Sequence, residues 1–311
     1  MTLEIGDFSN HPLRRWKNFF LKSTWLYRAL GLAFFYAISV LIIRFVSLTL
    51  ITYFSMGANA GLQDINDIFS SNEVSLMGMS ALVFVLIILK INPISYSRRE
   101  DFINREGIEK QFLSGFLKGA FFCSALVLAS ILCGVHRYLG YFIRFNEAPL
   151  ELINTMLRLV TLGVLAYCEE FIFHHKLAGY FKDELPSWAS AHFIAALYCG
   201  IKILQFDLGI MHLLTLYLIS IYLFYERQRT GRFERGAGYW AAILIVLQPL
   251  ASLPIFGNDF TGLLLIKYQP NMGSNWCRMI TGGPGGPISS LAFQLLLLLD
   301  LLRSMLTKKE R

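Results

Sequence analysis

The sequence predicts an all-α, polytopic membrane protein, and three observations carry that prediction. Of 311 residues, 55% are hydrophobic and 16% charged, against roughly a quarter charged in a soluble domain, and mean hydropathy is +0.51. The apolar residues fall into runs close to the ~20 residues that a bilayer-spanning helix needs, which gives about eight spans. Lys and Arg then collect in alternate connecting segments, as they do in cytoplasmic loops.

Taken in order, residues 1–28 form a basic, aromatic segment. HPLRRWKNFFLKSTW interleaves Arg14, Arg15, Lys17 and Lys22 with Trp16, Phe19 and Phe20, the pattern of an interfacial helix on the inner leaflet. No small-residue cleavage site follows a short apolar core, so the first span, 29–52, is expected to serve as the insertion signal. Residues 53–74 hold Asp64, Asp67 and Glu73 and no base, as an outer loop would. The second span, 75–94, leads into a loop with Arg98, Arg99, Arg105 and Lys110. The third, 112–135, leads into an outer loop with Arg137 and Arg144. The fourth, 150–173, is followed by Lys176 and Lys182, and the fifth, 187–204, carries Lys202 at its edge. The sixth, 208–225, precedes Arg227, Arg229, Arg232 and Arg235. The seventh, 237–256, opens a long outer segment with Lys267 and Arg278, and the eighth, 289–306, ends at Arg303 and a basic tail, 307–311.

One membrane domain, 29–306, therefore lies between a cytoplasmic start and a cytoplasmic end. Its short loops suit a bacterial inner membrane. The net charge of +7 follows from topology and attraction to the lipid bilayer, so nucleic acid is not an expected partner. Five cysteines make no C-x-x-C and read as small hydrophobes. TGGPGGP, 281–287, lacks the Lys-Ser/Thr of a phosphate loop and reads as a rigid turn before the last span.

The informative residues are the charges inside the spans: Arg44, Arg158, Glu169, Glu170 and Lys202, with His174, His175, His192 and His212 nearby. Each central charge costs roughly 2.5–3.5 kcal/mol on insertion scales, so such groups face a bundle interior. With the fourth span running inward and ending near 173, Glu169 and Glu170 are expected roughly 6 Å from its inner end, where cytoplasmic water can reach them. Neighbouring carboxylates in a low dielectric resist ionising together, so one can accept a proton while the other donates it. That is the equipment for activating water against a peptide bond. The alternative is an ion-paired helix end beside Lys176. Glu170 and His174 lie four apart on one face and with a third ligand would hold a divalent metal, although zinc sites want three or four ligands. His192 and His212 are expected to be structural. Lys202 is expected to snorkel outward, roughly 20 Å from the inner face and away from Glu169.

CEEFIFHH, 168–175, resembles the first signature, E-E-x-x-x-R, of the CAAX protease and bacteriocin-processing (CPBP, or Abi) family of intramembrane endopeptidases. SNWCRMITGGPGGPISSLAFQLLLLL, 274–299, is similar to the NW-LTGG-FGPEASL stretch before the last helix of many bacterial members. YERQRTG, 225–231, resembles the segment leading into the seventh span. The resemblance covers about the last half of the chain and implies an eight-helix CPBP-type bundle with its core at about 112–306. Carried over by position, it makes Glu169 the water-activating carboxylate and Glu170 its partner, with His174 at the motif's arginine. The family's F-x-x-x-H positions hold Tyr198 and Lys202, and its H-x-x-x-N positions fall near Val246 and Leu250.

Two of the three signatures have thus lost their chemistry, and a missing stabilising donor costs factors of roughly 100–1,000. The resemblance implies a protease fold whose degenerate site binds a peptide, lipid or partner protein in the former substrate cavity. The alternative is an active endopeptidase that cleaves CAAX-like or membrane-proximal peptide substrates through Glu169 and Glu170, with His174, His175, His192 or His212 replacing the lost histidines. A third reading is a proton-coupled transporter.

Overall fold

Each of the eight apolar runs is helical over most of its length in the structure, a computed structural model. It describes residues 25–57, 62–91, 107–141, 148–181, 184–206, 208–256 and 262–306. The basic, aromatic stretch before Trp25, the second-loop residues Arg98, Arg99 and Arg105, and the tail 307–311 lie outside the described residues.

The helices are α1 (Trp25–Gly57), α2 (Leu62–Ile91), α3 (Ile108–Leu132), α4 (Ala148–Glu169), α5 (Ala178–Phe181), α6 (Ser187–Gln205), α7 (Ile210–Thr230), α8 (Glu234–Ile245), α9 (Asn275–Thr281) and α10 (Leu291–Leu306). Wider π-helical turns extend α4 through Glu170–Leu177 and α8 through Val246–Leu250. Among the described residues, three stretches are long and apolar enough to cross a membrane by length and composition: Trp25–Leu50, Ile108–Leu132 and Ser187–Gln205. Leu76–Lys90 is a shorter apolar helix. The outward faces are apolar as well. Phe121 is 80% exposed and Ile210 81%, with Phe45, Leu132 and Leu299 also bare, a coat that water does not favour and lipid does.

Helices α3 and α8 make the closest crossing. A Cβ on Gly115 would sit 1.9 Å from the Arg235 carbonyl oxygen, one on Gly119 2.7 Å from that of Tyr239, and one on Gly238 2.0 Å from that of Phe112. Gly115-x-x-x-Gly119 is the small-residue spacing that lets helix backbones meet in lipid. Around this pair, α4 packs on α8 and α2, α1 on α2, α6 on α7, and α7 on α10.

One end of the bundle is tied by ion pairs around a buried glutamate. Glu226, 1% exposed, accepts hydrogen bonds from Arg229 Nε at 3.0 Å and Nη2 at 2.6 Å and pairs with Arg235 Nε at 3.1 Å. Lys118 pairs with Asp300 and donates to the Tyr222 hydroxyl at 2.9 Å, joining α3, α7 and α10. Gly231, at φ 70°, turns α7 into α8 and donates to the Arg227 carbonyl at 2.8 Å, a left-handed helix stop.

The opposite end departs from the all-α expectation. β1 (His136–Tyr141) pairs antiparallel with β2 (Leu264–Tyr268), with His136 opposite Tyr268. HRYLGY and LLIKY are short, rich in strand formers and far apart in the chain, so their pairing left no local periodicity to read. The glycine-rich segment makes a tight turn before α10. Gly282 at φ 95° brings its α-carbon against the Gly286 carbonyl, where a Cβ would lie 1.8 Å away, and His212 Nε2 holds the Gly285 carbonyl at 3.1 Å.

His136 yields a pH prediction. The residue is 2% exposed, its Nδ1 has no hydrogen-bond partner among the described residues, and burial pushes its pKa down to about 4. Between that value and the ordinary 6.5 the unfolded chain binds the extra proton. The contribution is therefore present above pH 6.5 and lost as pH falls towards 4, on the order of 2 kcal/mol. Thermal unfolding of the wild type should weaken over that window relative to His136→Gln; parallel curves for the two proteins would refute the assignment.

Candidate functional site

Glu169 ends the regular part of α4, 2% exposed, and three other helices aim donors at it. Lys202 Nζ of α6 reaches Oε1 at 2.5 Å and the Tyr36 hydroxyl of α1 reaches the same oxygen at 3.3 Å. The Tyr198 hydroxyl of α6 and Trp240 Nε1 of α8 each donate to Oε2 at 3.0 Å. An ionised carboxylate offers about four lone-pair sites, so these donors saturate it. No site remains for a water to be polarised by this carboxylate.

Lys202 is the buried counter-ion, 0% exposed. Its ammonium lies 4.9 Å from the Phe256 ring centre, 5.4 Å from Tyr198 and 5.8 Å from Phe206, within the range of cation–π attraction. Phe206 and Phe256 stack at 4.3 Å to form one wall. Arg44 Nη1 meanwhile donates to the Gln205 carbonyl at 2.8 Å and caps the end of α6.

This arrangement overturns the expectation that Lys202 snorkels outward. The physical reason is the end of α4. The helix does not stop near 173 but runs on through the π turns and α5 to Phe181, some eight residues further, which sets Glu169 about 12 Å deeper. At that depth it meets Lys202, the fifteenth residue beyond Ser187 on the returning α6. The expectation of a pair lying near the inner helix end is corrected for the same reason. Tyr198 and Lys202, taken from the resemblance as the second-motif positions, do face Glu169.

Glu170 has a different environment. It begins the π-helical turns, 1% exposed, and accepts no hydrogen bond among the described residues. His174 Nδ1 approaches its Oε2 at 3.1 Å without hydrogen-bond alignment, while His174 Nε2 lies 3.0 Å from the Ser220 hydroxyl of α7. Arg227 stands within electrostatic reach. Gly236 makes the room: a Cβ there would lie 2.8 Å from Glu170 Oε1. Carboxylate, imidazole and hydroxyl thus follow one another in the order that activates a nucleophile, but Ser220 is 0% exposed. Substrate would reach it only after helices part.

The remaining histidines are engaged elsewhere. His175 stacks on Phe171 at 5.4 Å, His192 Nδ1 meets the Tyr217 hydroxyl at 2.7 Å, and His212 holds the glycine turn. His192 and His212 are thus engaged with partners other than Glu169. At the third-motif positions, Val246 and Leu250 bound the π turn of α8, and Pro249 inside it removes a backbone donor. Among the described residues no three His, Cys, Asp or Glu side chains converge to hold a metal, so Glu170 and His174 form a two-ligand set that does not fit a zinc centre.

Sequence reasoning missed Tyr36 and Trp240. Both carried a readable signal, since a phenol or indole inside a span needs a hydrogen-bond partner when buried. Compared with known proteins, the chain matches no family model, no curated protein and no solved structure.

Proposed function

We propose that this chain is a catalytically degenerate membrane protein of the CAAX protease and bacteriocin-processing type. In this reading it has eight spans, both ends face the cytoplasm of a bacterial inner membrane, and a peptide, lipid or partner protein occupies the former substrate cavity. The observation that carries the reading is the saturation of Glu169 by Tyr36, Tyr198, Lys202 and Trp240. A general base must keep a lone pair within reach of the proton it takes, and a lysine in place of a histidine supplies a fixed positive charge instead of a proton shuttle. The buried pair then serves to hold α1, α4, α6 and α8 in one arrangement, and its charges cancel, which disfavours an ion path through them.

Hydrolysis through Glu170 is the second reading, favoured by its two oxygens without hydrogen-bond donors beside His174. One assay separates the two. Purified protein in detergent is expected to leave a mixed library of prenylated and membrane-proximal peptides intact. Turnover that Glu170→Gln abolishes at unchanged melting temperature would overturn the degenerate reading and establish the second.

A further inference from the structure

We infer that Cys133 and Cys277 are a disulfide pair on the outer face of the protein, closed by the disulfide of a thiol oxidoreductase in that compartment. The two thiols are close enough that each shifts the other's ionisation. Their backbones are brought together by contacts that do not involve sulfur. Gln269 N donates to the Val135 carbonyl at 2.9 Å. Gly273, at φ 76°, lies so close that a Cβ on it would be 2.9 Å from Val135 Cγ2 and 3.4 Å from the Cys133 carbonyl. Residues 269–273 therefore lie along 133–135, Ser274 caps α9 by accepting the Cys277 amide at 3.2 Å, and α9 packs against α3.

Access separates this pair from the other cysteines. Cys133 is exposed and Cys277 partly exposed, whereas Cys123, Cys168 and Cys199 are buried. The Ser274 hydroxyl first, and then the neighbouring Cys133 thiol, lower the Cys277 pKa below the usual thiol value, which makes Cys277 the attacking sulfur. Its thiolate attacks one sulfur of the oxidant's disulfide, forms a mixed disulfide and expels the oxidant's other sulfur as a thiolate. The Cys133 thiolate then attacks Cys277 Sγ and expels the second. The oxidant leaves as a dithiol with two electrons, and the two cysteine protons pass to water or to the departing thiolates. The bond closes a loop of 144 residues' separation and pins β2 and α9 over the end of α3. Closure by the cell rests on the orientation given under Proposed function, which puts this end opposite the Arg-rich loops; the proximity of the sulfurs does not.

The test counts thiols. Cells are quenched in acid, and the denatured protein is labelled with a polyethylene-glycol maleimide before and after reduction. Three of the five cysteines are expected to label before reduction and all five after. Cys133→Ser and Cys277→Ser should each leave four that label in both states, with no disulfide-linked dimer. Separately, reduced purified protein is treated with oxidised glutathione and should lose two thiols without gaining glutathione mass. Five free thiols after both treatments, or dimers in place of an internal bond, would overturn the pairing. Five in cells but three after glutathione would overturn the natural disulfide and the outward orientation together, while leaving the contact between the sulfurs standing.

Discussion

Lys202→Met is expected to destabilise the protein by about 3–5 kcal/mol, because removing one partner strands the other's charge in a low dielectric. Glu169 would keep the neutral donors Tyr36, Tyr198 and Trp240 and lose the Lys202 ammonium at 2.5 Å. The aromatic box of Phe206, Phe256 and Tyr198 would lose a cation whose attraction reaches ~2 kcal/mol when desolvated. Glu169→Gln should cost a similar amount from the other side, since it leaves Lys202 charged and 0% exposed. The paired replacement, Glu169→Gln with Lys202→Met, should recover most of the loss, because a neutral amide and a thioether carry no Born penalty into the bundle. A double-mutant cycle of unfolding in detergent checks this. Additive losses in the pair would mean that the contact does not organise the core. The cycle also bears on function: were Glu169 a working base, Glu169→Gln would remove turnover in addition to its cost in stability.

Gly238→Ala should produce the second large effect, a loss of about 1–3 kcal/mol or more from overpacking a tight crossing. The added carbon would lie 2.0 Å from the Phe112 carbonyl oxygen and 2.9 Å from Phe116 N. Both are backbone atoms, which cannot rotate away, so α3 and α8 must separate and give up contacts along their whole crossing. Gly163→Ala is the control, on α4 with no atom within 4 Å of the new Cβ. There the better helix propensity of alanine should leave stability unchanged or raise it by up to about 1 kcal/mol. Equal melting temperatures for Gly238→Ala and Gly163→Ala would show that the crossing does not depend on bare backbone.

The helical character of the chain was legible because hydrophobic runs and charge alternation are local. Each of the eight runs declares its helix through its own residues, and three are long and apolar enough to be spans by that measure. The placement of Glu169, Glu170 and His174 on one inward segment was legible for the same reason. Glu170 and His174 are four residues apart, and they do approach within 3.1 Å. The tight α3–α8 crossing was readable in part, since Gly115 and Gly119 have the required spacing, but the partner Gly238 is not named by any local rule.

What the sequence by itself determined is therefore which segments are helical and which side chains share a face, because both follow from the 3.6-residue period and the cost of charge in hydrocarbon. The tertiary structure alone decided which faces meet. Lys202 reaches Glu169 because α4 continues to Phe181, and that extra length changes the axial register of α4 against α6. Tyr36 and Trp240 join them from helices 133 and 71 residues away, and β1 finds β2 across the whole middle of the chain. Register between helices and pairing between distant strands are set by the sum of packing contacts over the molecule, and no single segment carries that sum.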